Sequence, residues 1–460
     1  MNIRSFIGDR KFYKRLFTVA LPIVAQQLIT ASVQLVDNVM VGSLEESAIV
    51  SVSTVNQLYF VMMLITFGAM GGAGIFSAQY YGSNDYDKLK QTFRFKISTA
   101  LVVFFVSLII FSLFGRPLIG LFTDNPDTIN NAIEYLKIIR FGILPWVLSV
   151  AISNTFRDMG ITKPLMYISI VAILTNTLLN AILIFGLFGF PKLGIIGAAY
   201  ATLIARIVEF ILSFIFLLKQ GKLFSTKLKD LFKIDKQVLI AIFSMALPLM
   251  LNEALWSTGQ TMFMQAYSTR GEYAYAAQNI TSAISQLVFV TFGGVATGIA
   301  VLVGNTLGRN ELIEAKDNAR KLIAFAVFFA MCMGVLLFIL SFFILDIYKI
   351  AEETKAIALF NIRINALFIP LFSFNISLYF TLRSGGDTKS TLLMDSVYMW
   401  VVAVPIAYAI SRWTNWPVTL MFLIIQLTDI PKAIFGLSRY RKGYWIKNLA
   451  KNENNVLVNG

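Results

Sequence analysis

The chain contains no histidine and a single cysteine, and these two shortages limit the chemistry that it can perform. Histidine is the usual general base, proton switch and metal ligand, so any proton transfer here falls to carboxylates. Cys332 has no second cysteine with which to form a disulfide or a thiolate metal site. Because no phosphate-binding loop, metal-ligand cluster or nucleophile–histidine pair is present, we expect a protein that is not an enzyme and needs no cofactor.

Charged residues are also scarce, at 14% of the chain, whereas hydrophobic residues make up 57%. A soluble protein carries about 25% charged residues. The apolar residues fall in stretches of about 20, the length that crosses a hydrocarbon core. The sequence therefore predicts an all-α polytopic membrane protein with about 12 transmembrane helices. We place these spans near residues 15–39, 48–78, 95–115, 133–156, 164–187, 194–218, 238–266, 274–305, 321–347, 356–381, 389–411 and 415–438.

The net charge of +14 reflects orientation in the membrane and gives no support for nucleic-acid binding. Lysine and arginine are concentrated in the connectors after spans two, six and eight and in the tail, whereas the intervening connectors hold few cations. By the positive-inside rule both termini are cytoplasmic, and we expect a multi-pass protein of the cell membrane, in particular the plasma membrane of a bacterium. No small-residue cleavage site follows the first span, so we expect no cleaved signal peptide. The basic connector 219–237 is interpreted as an amphipathic linker on anionic headgroups or as a regulatory element.

The two halves of the sequence repeat each other with an offset of 226 residues. Six spans per half is an even number, so the repeats insert in the same orientation and are parallel. We assign residues 1–226 to an N-lobe, which includes the start of the basic linker, and residues 227–460 to a C-lobe. Paired lobes of this kind are typical of alternating-access transporters. The matching pairs are Ala20-Leu21-Pro22 with Ala246-Leu247-Pro248, Gly82-Ser83-Asn84 with Gly308-Arg309-Asn310, and Arg157, Gly160, Thr162 and Lys163 with Arg383, Gly386, Thr388 and Lys389.

Positions that match between the repeats are interpreted as scaffold. Pro22 and Pro248 are expected to kink the first span of each lobe. The matched glycines Gly160 and Gly386 are expected to form tight turns between spans.

Polar positions found in only one repeat are candidates for function. Asp37 corresponds to Phe263, and Asn176 and Asn180 correspond to Val402 and Ile406. Asn176 and Asn180 are four residues apart and therefore share one helix face. A charged Asp at a helix centre costs about 2.5–3.5 kcal/mol on insertion scales, which favours a functional role. We interpret Asp37 as part of an ion or proton site, and the alternative is a position in the outer interface in contact with water.

Glu253 lies five residues after Pro248 and aligns near Gln27, so both repeats are polar there. It is interpreted either as a carboxylate of the substrate cavity that meets a cation or as a packing residue that bonds to a neighbouring helix.

Two further pairs of opposite charge lie within the spans. Arg206 with Glu209 and Asp429 with Lys432 are each three residues apart, which predicts local neutralisation on one helix. Asp395, early in the eleventh span, is left without an assignment.

The chain resembles the multidrug and toxic compound extrusion (MATE) family of the multidrug/oligosaccharide-lipid/polysaccharide exporter superfamily over essentially its whole length. The resemblance depends on the order and spacing of segments that are individually short and apolar. These are LPIVAQQLITASVQLVDNVMVG, GAMGGAGIFSAQYYGSNDYDK, NTLLNAILIFG, GIIGAAYAT, LNEALWSTG and LRSGGDTKS.

The resemblance implies export of amphipathic, often cationic compounds driven by inward Na+ or H+. It places the cation site at Asp37, Asn176, Asn180 and Thr202. It also implies that Glu253 corresponds to an acidic residue that some members of the family have in the second lobe. Many relatives have Asp at the position of Asn180, and Thr202 has Thr428 as its repeat partner. These departures leave the coupling ion open.

The sequence therefore predicts a secondary antiporter that acts on small organic molecules, contacts membrane lipids, functions as a monomer and uses no cofactor besides its coupling ion. Two alternatives stay open. One is a lipid-linked oligosaccharide flippase of the same superfamily, for which cavity cations are expected. The other is a channel or receptor scaffold, for which a ring of pore charges or an extramembrane ligand-binding domain is expected.

Overall fold

The computed structural model describes residues 6–42, 44, 46–220, 230, 232–347 and 350–451. Within these ranges, the side chains of residues 34–39, 42, 46, 287, 290 and 347 lie outside the description. Across the described residues the secondary structure is helical, and no strand occurs among them.

The described part of the first repeat folds into seven α-helices. Short breaks separate them, and Arg140–Gly142 and Leu187–Gly189 form 3-10 turns. The helices are α1 (Arg10–Gly42), α2 (Glu46–Gly82), α3 (Tyr86–Gly120), α4 (Pro126–Ile139), α5 (Ile143–Asp158), α6 (Lys163–Phe185) and α7 (Ile195–Lys219).

The second repeat contains eight α-helices and two π-helical segments among its described residues. The π segments span Leu393–Val397 and Met399–Ala403, between α12 and α13. The helices are α8 (Lys236–Ser268), α9 (Glu272–Gly308), α10 (Leu312–Leu340), α11 (Glu352–Ser384), α12 (Thr388–Leu392), α13 (Val404–Trp413), α14 (Val418–Leu427) and α15 (Asp429–Lys442).

The number of membrane spans predicted from hydropathy is confirmed. Within the described residues, 12 helices or helix pairs are long and apolar enough to cross a membrane. Many large apolar side chains on them are exposed, including Leu113, Phe328 and Leu367. In lipid such side chains are already in an apolar solvent, so their exposure costs little. The chain is a multi-pass membrane protein.

Three spans that the sequence represents as continuous are broken or distorted in the structure. The fourth changes to a 3-10 turn at Arg140–Gly142, the eleventh contains both π segments, and the twelfth is divided at Thr428 between α14 and α15. A 3-10 or π turn replaces one hydrogen-bond register by another without a change in hydrophobicity, so hydropathy does not reveal it.

The matched glycines form the tight turns that the repeat predicts. Gly160 and Gly386 have the same φ of 82°, in the left-handed region where a glycine has no steric cost. Asn84 and Asn310 are also matched in conformation, with φ of 60° and 65°. Asparagine is among the residues that tolerate this region.

The chain folds into two compact units. The first unit contains Met1–Val24, Tyr81–Asn84 and Leu247–Gly460, and the second contains Ala25–Tyr80 and Asp85–Ala246. The divisions within α1 and α8 follow Val24 and Ala246, close to Pro22 and Pro248, which lie inside these helices. Each unit thus combines most of one repeat with the beginning of the first helix of the other repeat.

The predicted amphipathic linker lies mostly outside the described residues, because residues 221–229 and 231 are not described. Its last residues contact α3 of the second unit. Arg94 donates to the carbonyl of Lys233 at 2.9 Å, and the backbone N–H of Asp235 donates to the side chain of Gln91 at 2.8 Å.

Candidate ion-coupling and substrate sites

Three of the four residues of the expected cation site form one chain of hydrogen bonds in the second unit. Asn180 Nδ2 donates to Asn176 Oδ1, and Asn176 Nδ2 donates to Thr202 Oγ1, each at 3.3 Å. Asn180 is buried, whereas Asn176 and Thr202 are half-buried. We refer to Asn176, Asn180 and Thr202 as the amide cluster. It brings carboxamide and hydroxyl oxygens together, which are the oxygen ligands that a hard cation prefers.

The close approach of α6 and α7 explains how Asn176 reaches Thr202. A Cβ on Gly197, near the start of α7, would lie 2.5 Å from the carbonyl oxygen of Leu183 on α6. Only glycine therefore allows the two backbones to lie this close at that point. The turn between them begins at Gly186, whose φ of 74° reverses the chain after α6.

Asp37 is a residue of α1 and belongs to the same unit as the amide cluster. Its side chain lies outside the described residues, so its role in coupling stays a prediction.

Glu253 lies in α8 of the first unit, where it is half-buried. Its carboxylate interacts electrostatically with Arg383 and with Asp395. The carboxylate makes no hydrogen bond or salt bridge with the described residues. The neighbouring side chain of Asn252, by contrast, makes several hydrogen bonds. A half-buried carboxylate without a close partner suits a site that meets a cation.

Sequence reasoning missed a polar network in the first unit that is centred on Asp395. Asn252 Nδ2 donates to Asp395 Oδ2 at 3.1 Å, and Lys432 Nζ donates to Asp395 Oδ1 at 2.6 Å. Ser396 donates to the side-chain oxygen of Asn252 at 2.8 Å, and Asn252 also donates to the hydroxyl of Tyr379 at 3.4 Å. We refer to Asn252, Asp395 and Lys432 as the charged triad. It joins α8, the first π segment and α15.

This network corrects one sequence-based prediction, and a second pair confirms another. Lys432 was expected to pair with Asp429 on its own helix, but its salt bridge is with Asp395 at 2.6 Å. The prediction was wrong because the π segment and α15 approach each other closely: a Cβ on Gly436 would lie 2.7 Å from the Met394 sulfur. Arg206 and Glu209 do form the predicted local pair, at 2.9 Å.

The internal repeat was the signal that would have identified the triad. Asn252 and Asp395 correspond to Gln26 and Ser169, and Gln26 Nε2 donates to Ser169 Oγ at 2.7 Å. Each pair is separated by 143 residues in the sequence. A charged acceptor where the other repeat has a hydroxyl is the same kind of mismatch that singled out Asp37.

Known proteins resemble this chain over most of its length. It is 25% identical over 397 residues to the probable multidrug resistance protein YoeA of Bacillus subtilis, which covers 86% of each chain. It is 26% identical over 408 residues to the multidrug resistance protein PmpM of Pseudomonas aeruginosa, which covers 88% of this chain and 84% of PmpM.

Solved structures share the fold at lower sequence identity. A mutant of the MATE transporter VcmN from Vibrio cholerae superposes with a TM-score of 0.85 and is 18% identical, covering 98% of this chain and 99% of VcmN. A MOP superfamily transporter from Pyrococcus furiosus, described as having a binding pocket of reverse polarity, gives a TM-score of 0.82 at 18% identity, covering 96% of this chain and 97% of that one.

The sequence profile of the MatE family matches the chain twice, at residues 22–182 and 248–409. The two matches begin 226 residues apart, at Pro22 and at Pro248, which is the offset of the internal repeat. Together they cover more than half of the chain, with one match in each repeat. The chain therefore belongs to the MatE family of multidrug efflux transporters, as its resemblance to the MATE proteins implies.

Proposed function

We propose that the protein is a secondary antiporter that exports amphipathic, mostly cationic organic compounds in exchange for Na+ or H+. The observation that supports it most is the amide cluster, since Asn176 and Asn180 form hydrogen bonds in one repeat where the other repeat has Val402 and Ile406. Placing polar side chains in an apolar span is costly, so a difference between the repeats favours function over packing.

In this proposal Asp37 is the residue that couples ion entry to export, and the amide cluster supplies neutral oxygen ligands beside it. The donor set fits Na+, because a hard monovalent cation prefers carboxylate, carboxamide and hydroxyl oxygens. It also fits H+, because a single carboxylate that changes its charge is sufficient. Glu253 contributes a negative charge for the cationic substrate, and the membrane is the cell membrane with both termini in the cytoplasm.

A lipid-linked oligosaccharide flippase is less well supported. Its pyrophosphate substrate requires several cationic side chains without carboxylate partners. Among the described residues of the spans, Arg206 and Lys432 are each neutralised by a carboxylate, at 2.9 and 2.6 Å, and Arg383 interacts electrostatically with the carboxylate of Glu253.

Transport by reconstituted protein tests the proposal. Proteoliposomes are given an Na+ gradient or an H+ gradient separately, and export of a cationic dye is followed for wild type, Asp37→Asn and Asp87→Asn. Asp87→Asn is the matched control, since that side chain is 92% exposed at the start of α3. We expect Asp37→Asn to lose gradient-driven export and to keep normal insertion, with Asp87→Asn unchanged. Export at the wild-type rate by Asp37→Asn would show that coupling lies elsewhere.

A further inference from the structure

The charged triad contains a contact that both repeats share, between a carboxamide on the first helix of the repeat and an oxygen acceptor on a second element, and adds charged groups to it. In one repeat Gln26 donates to the hydroxyl of Ser169, and in the other Asn252 donates to the carboxylate of Asp395. A neutral hydroxyl is therefore sufficient to join these two helices. Since a carboxylate within a membrane span is costly and a neutral hydroxyl makes the same contact in the other repeat, packing alone does not account for Asp395.

The two repeats also differ in how they neutralise the corresponding cation. Arg206 pairs with Glu209 on its own helix, at 2.9 Å. Its repeat partner Lys432 instead extends to Asp395 on another element, at 2.6 Å. Neither member of this second pair is sealed, since 16% of the Lys432 side chain and 17% of the Asp395 side chain stay exposed. The carboxylate is thus held by a lysine on a long, flexible stem and retains an open side.

The backbone around Asp395 is held in an unusual geometry. Asp395 lies within the π segment Leu393–Val397, and π turns inside α-helices occur frequently at functional sites. Glycines bring two helices close to this part of the chain: Gly436 approaches Met394, and a Cβ on Gly259 would lie 2.2 Å from the sulfur of Met399. Helices α8 and α15 therefore pack closely against the π segments on two sides of Asp395.

Further charged groups surround the triad within the first unit. Glu253 on α8 and Asp429 on α15 interact electrostatically with Asp395, and Asp429 also interacts with Lys432. On α11, Tyr379 faces Asp395 and Glu253, and Arg383 contacts its hydroxyl. Tyr398, after the first π segment, interacts with Asp429 and Lys432. These are three carboxylates and two cationic side chains, so the surroundings attract an additional positive charge.

We propose that Asp395 is a second binding point for the positive charge of the substrate and that Lys432 is a tethered competitor that occupies it when no substrate is bound. An organic cation displaces the ammonium group from Asp395. Lys432 then pairs with Asp429, which lies three residues earlier on the same helix and already interacts with it. Asp395 and Lys432 thus each keep a partner of opposite charge throughout, which avoids the cost of leaving either one unpaired in the membrane. This inference rests on the proposed function, in which the substrates are cationic.

Binding of tetraphenylphosphonium to the purified protein tests the proposal. The variants are Lys432→Gln, Asp395→Asn with Lys432→Gln, and Arg206→Gln as the control at the corresponding position of the other repeat. Removing the competitor is expected to tighten binding roughly tenfold, where a tenfold change corresponds to about 1.4 kcal/mol. The double variant should lose this gain, and Arg206→Gln should bind like wild type.

The outcomes separate this inference from the proposed function. If wild type binds the cation and neither Lys432→Gln nor the double variant differs from it, Asp395 is not a binding point and the inference is overturned, while export of cations stands. If no form of the protein binds the cation but a neutral amphipathic ligand is bound, the cationic substrate class is wrong and the inference fails with it.

Chemical labelling of the wild-type protein tests the same displacement, and its result does not depend on whether a variant folds. An amine-reactive reagent is applied with and without tetraphenylphosphonium, and modification is read by mass spectrometry. The rate of modification of Lys432 should differ at least severalfold between the two conditions, because its ammonium group changes partner, while Lys96, which is fully buried, stays unmodified in both. Equal modification of Lys432 when a shift in melting temperature shows that the cation is bound would overturn the displacement.

Discussion

Lys96 and Asp158 form a 2.6 Å ion pair in the second unit, and the lysine side chain is completely buried. Gly74 leaves room for the carboxylate, since a Cβ there would lie 3.1 Å from both of its oxygens. The corresponding positions in the other repeat are Leu322 and Ser384, which are buried as well. The fold therefore accommodates either an ion pair or a neutral pair at this place.

Lys96→Leu is expected to destabilise the protein by about 3–5 kcal/mol, because it leaves Asp158 without its buried lysine. Thermal unfolding in detergent measures the effect. Lys96→Leu combined with Asp158→Ser reproduces the residues of the other repeat and should recover most of the loss. Lys90→Leu removes an exposed pair with Asp87 and should cost at most about 1 kcal/mol. A double variant that is no more stable than Lys96→Leu would contradict this account.

Asn176→Leu and Asn180→Leu are each expected to weaken ion dependence more than substrate affinity, because both residues belong to the amide cluster. We expect the ion concentration for half-maximal transport to rise roughly tenfold, the effect of losing a contact of about 1.4 kcal/mol. The comparison is ion dependence in proteoliposomes against substrate binding in detergent. Asn154→Leu is the control, since its amide donates to the carbonyl of Val150 within its own helix. Equal losses in both measurements would mean that ion and substrate share one site.

Glu253→Gln is expected to weaken binding of cationic ligands by about 1–3 kcal/mol and to leave neutral ligands nearly unaffected. The reason is that the half-buried carboxylate has no close partner among the described residues and is available to pair with a positive charge on the ligand. Direct binding of a matched cationic and neutral ligand pair measures the difference. Glu272→Gln, at the exposed start of α9, is the control. A uniform loss for both ligands that follows a lower melting temperature would instead make Glu253 a packing residue.

Gly385→Ala is expected to destabilise the protein by about 3 kcal/mol, because the added methyl would lie 1.6 Å from the backbone oxygen of Trp445. Trp445 is fully buried and stacks on Tyr440 at 5.5 Å, so its backbone has little freedom to move away. Thermal unfolding again measures the effect. At Gly120 no heavy atom lies within 4 Å of an added Cβ, so Gly120→Ala should be neutral. A normal melting temperature for Gly385→Ala would show that the tail after α15 adapts.

The amino-acid sequence by itself determines the membrane architecture, because each of its signals is local. An apolar stretch of about 20 residues predicts a span wherever it lies, and the fixed offset of 226 residues identifies the repeats without any structure. The shared face of Asn176 and Asn180 follows from helical periodicity alone, and the turns at Gly160 and Gly386 follow from their glycines.

The amide cluster was only partly accessible to such reasoning. The mismatch with the other repeat singles out Asn176 and Asn180, but their link to Thr202 depends on how closely α6 and α7 pack, which Gly197 permits. The composition of the two compact units is also a tertiary property. The sequence places Pro22 and Pro248 in equivalent helices, but it does not indicate that the units divide beside these prolines.

Tertiary structure alone decided the partner of Lys432. Spacing favours Asp429, three residues away, over Asp395, which is 37 residues away. The structure reverses this preference because the π segment shifts the register around Asp395 and Gly436 allows α15 to approach it. The strength of a salt bridge depends on the distance in space between the two charges, so a few ångströms decide which carboxylate pairs with the lysine. The sequence gives only the separation along the chain.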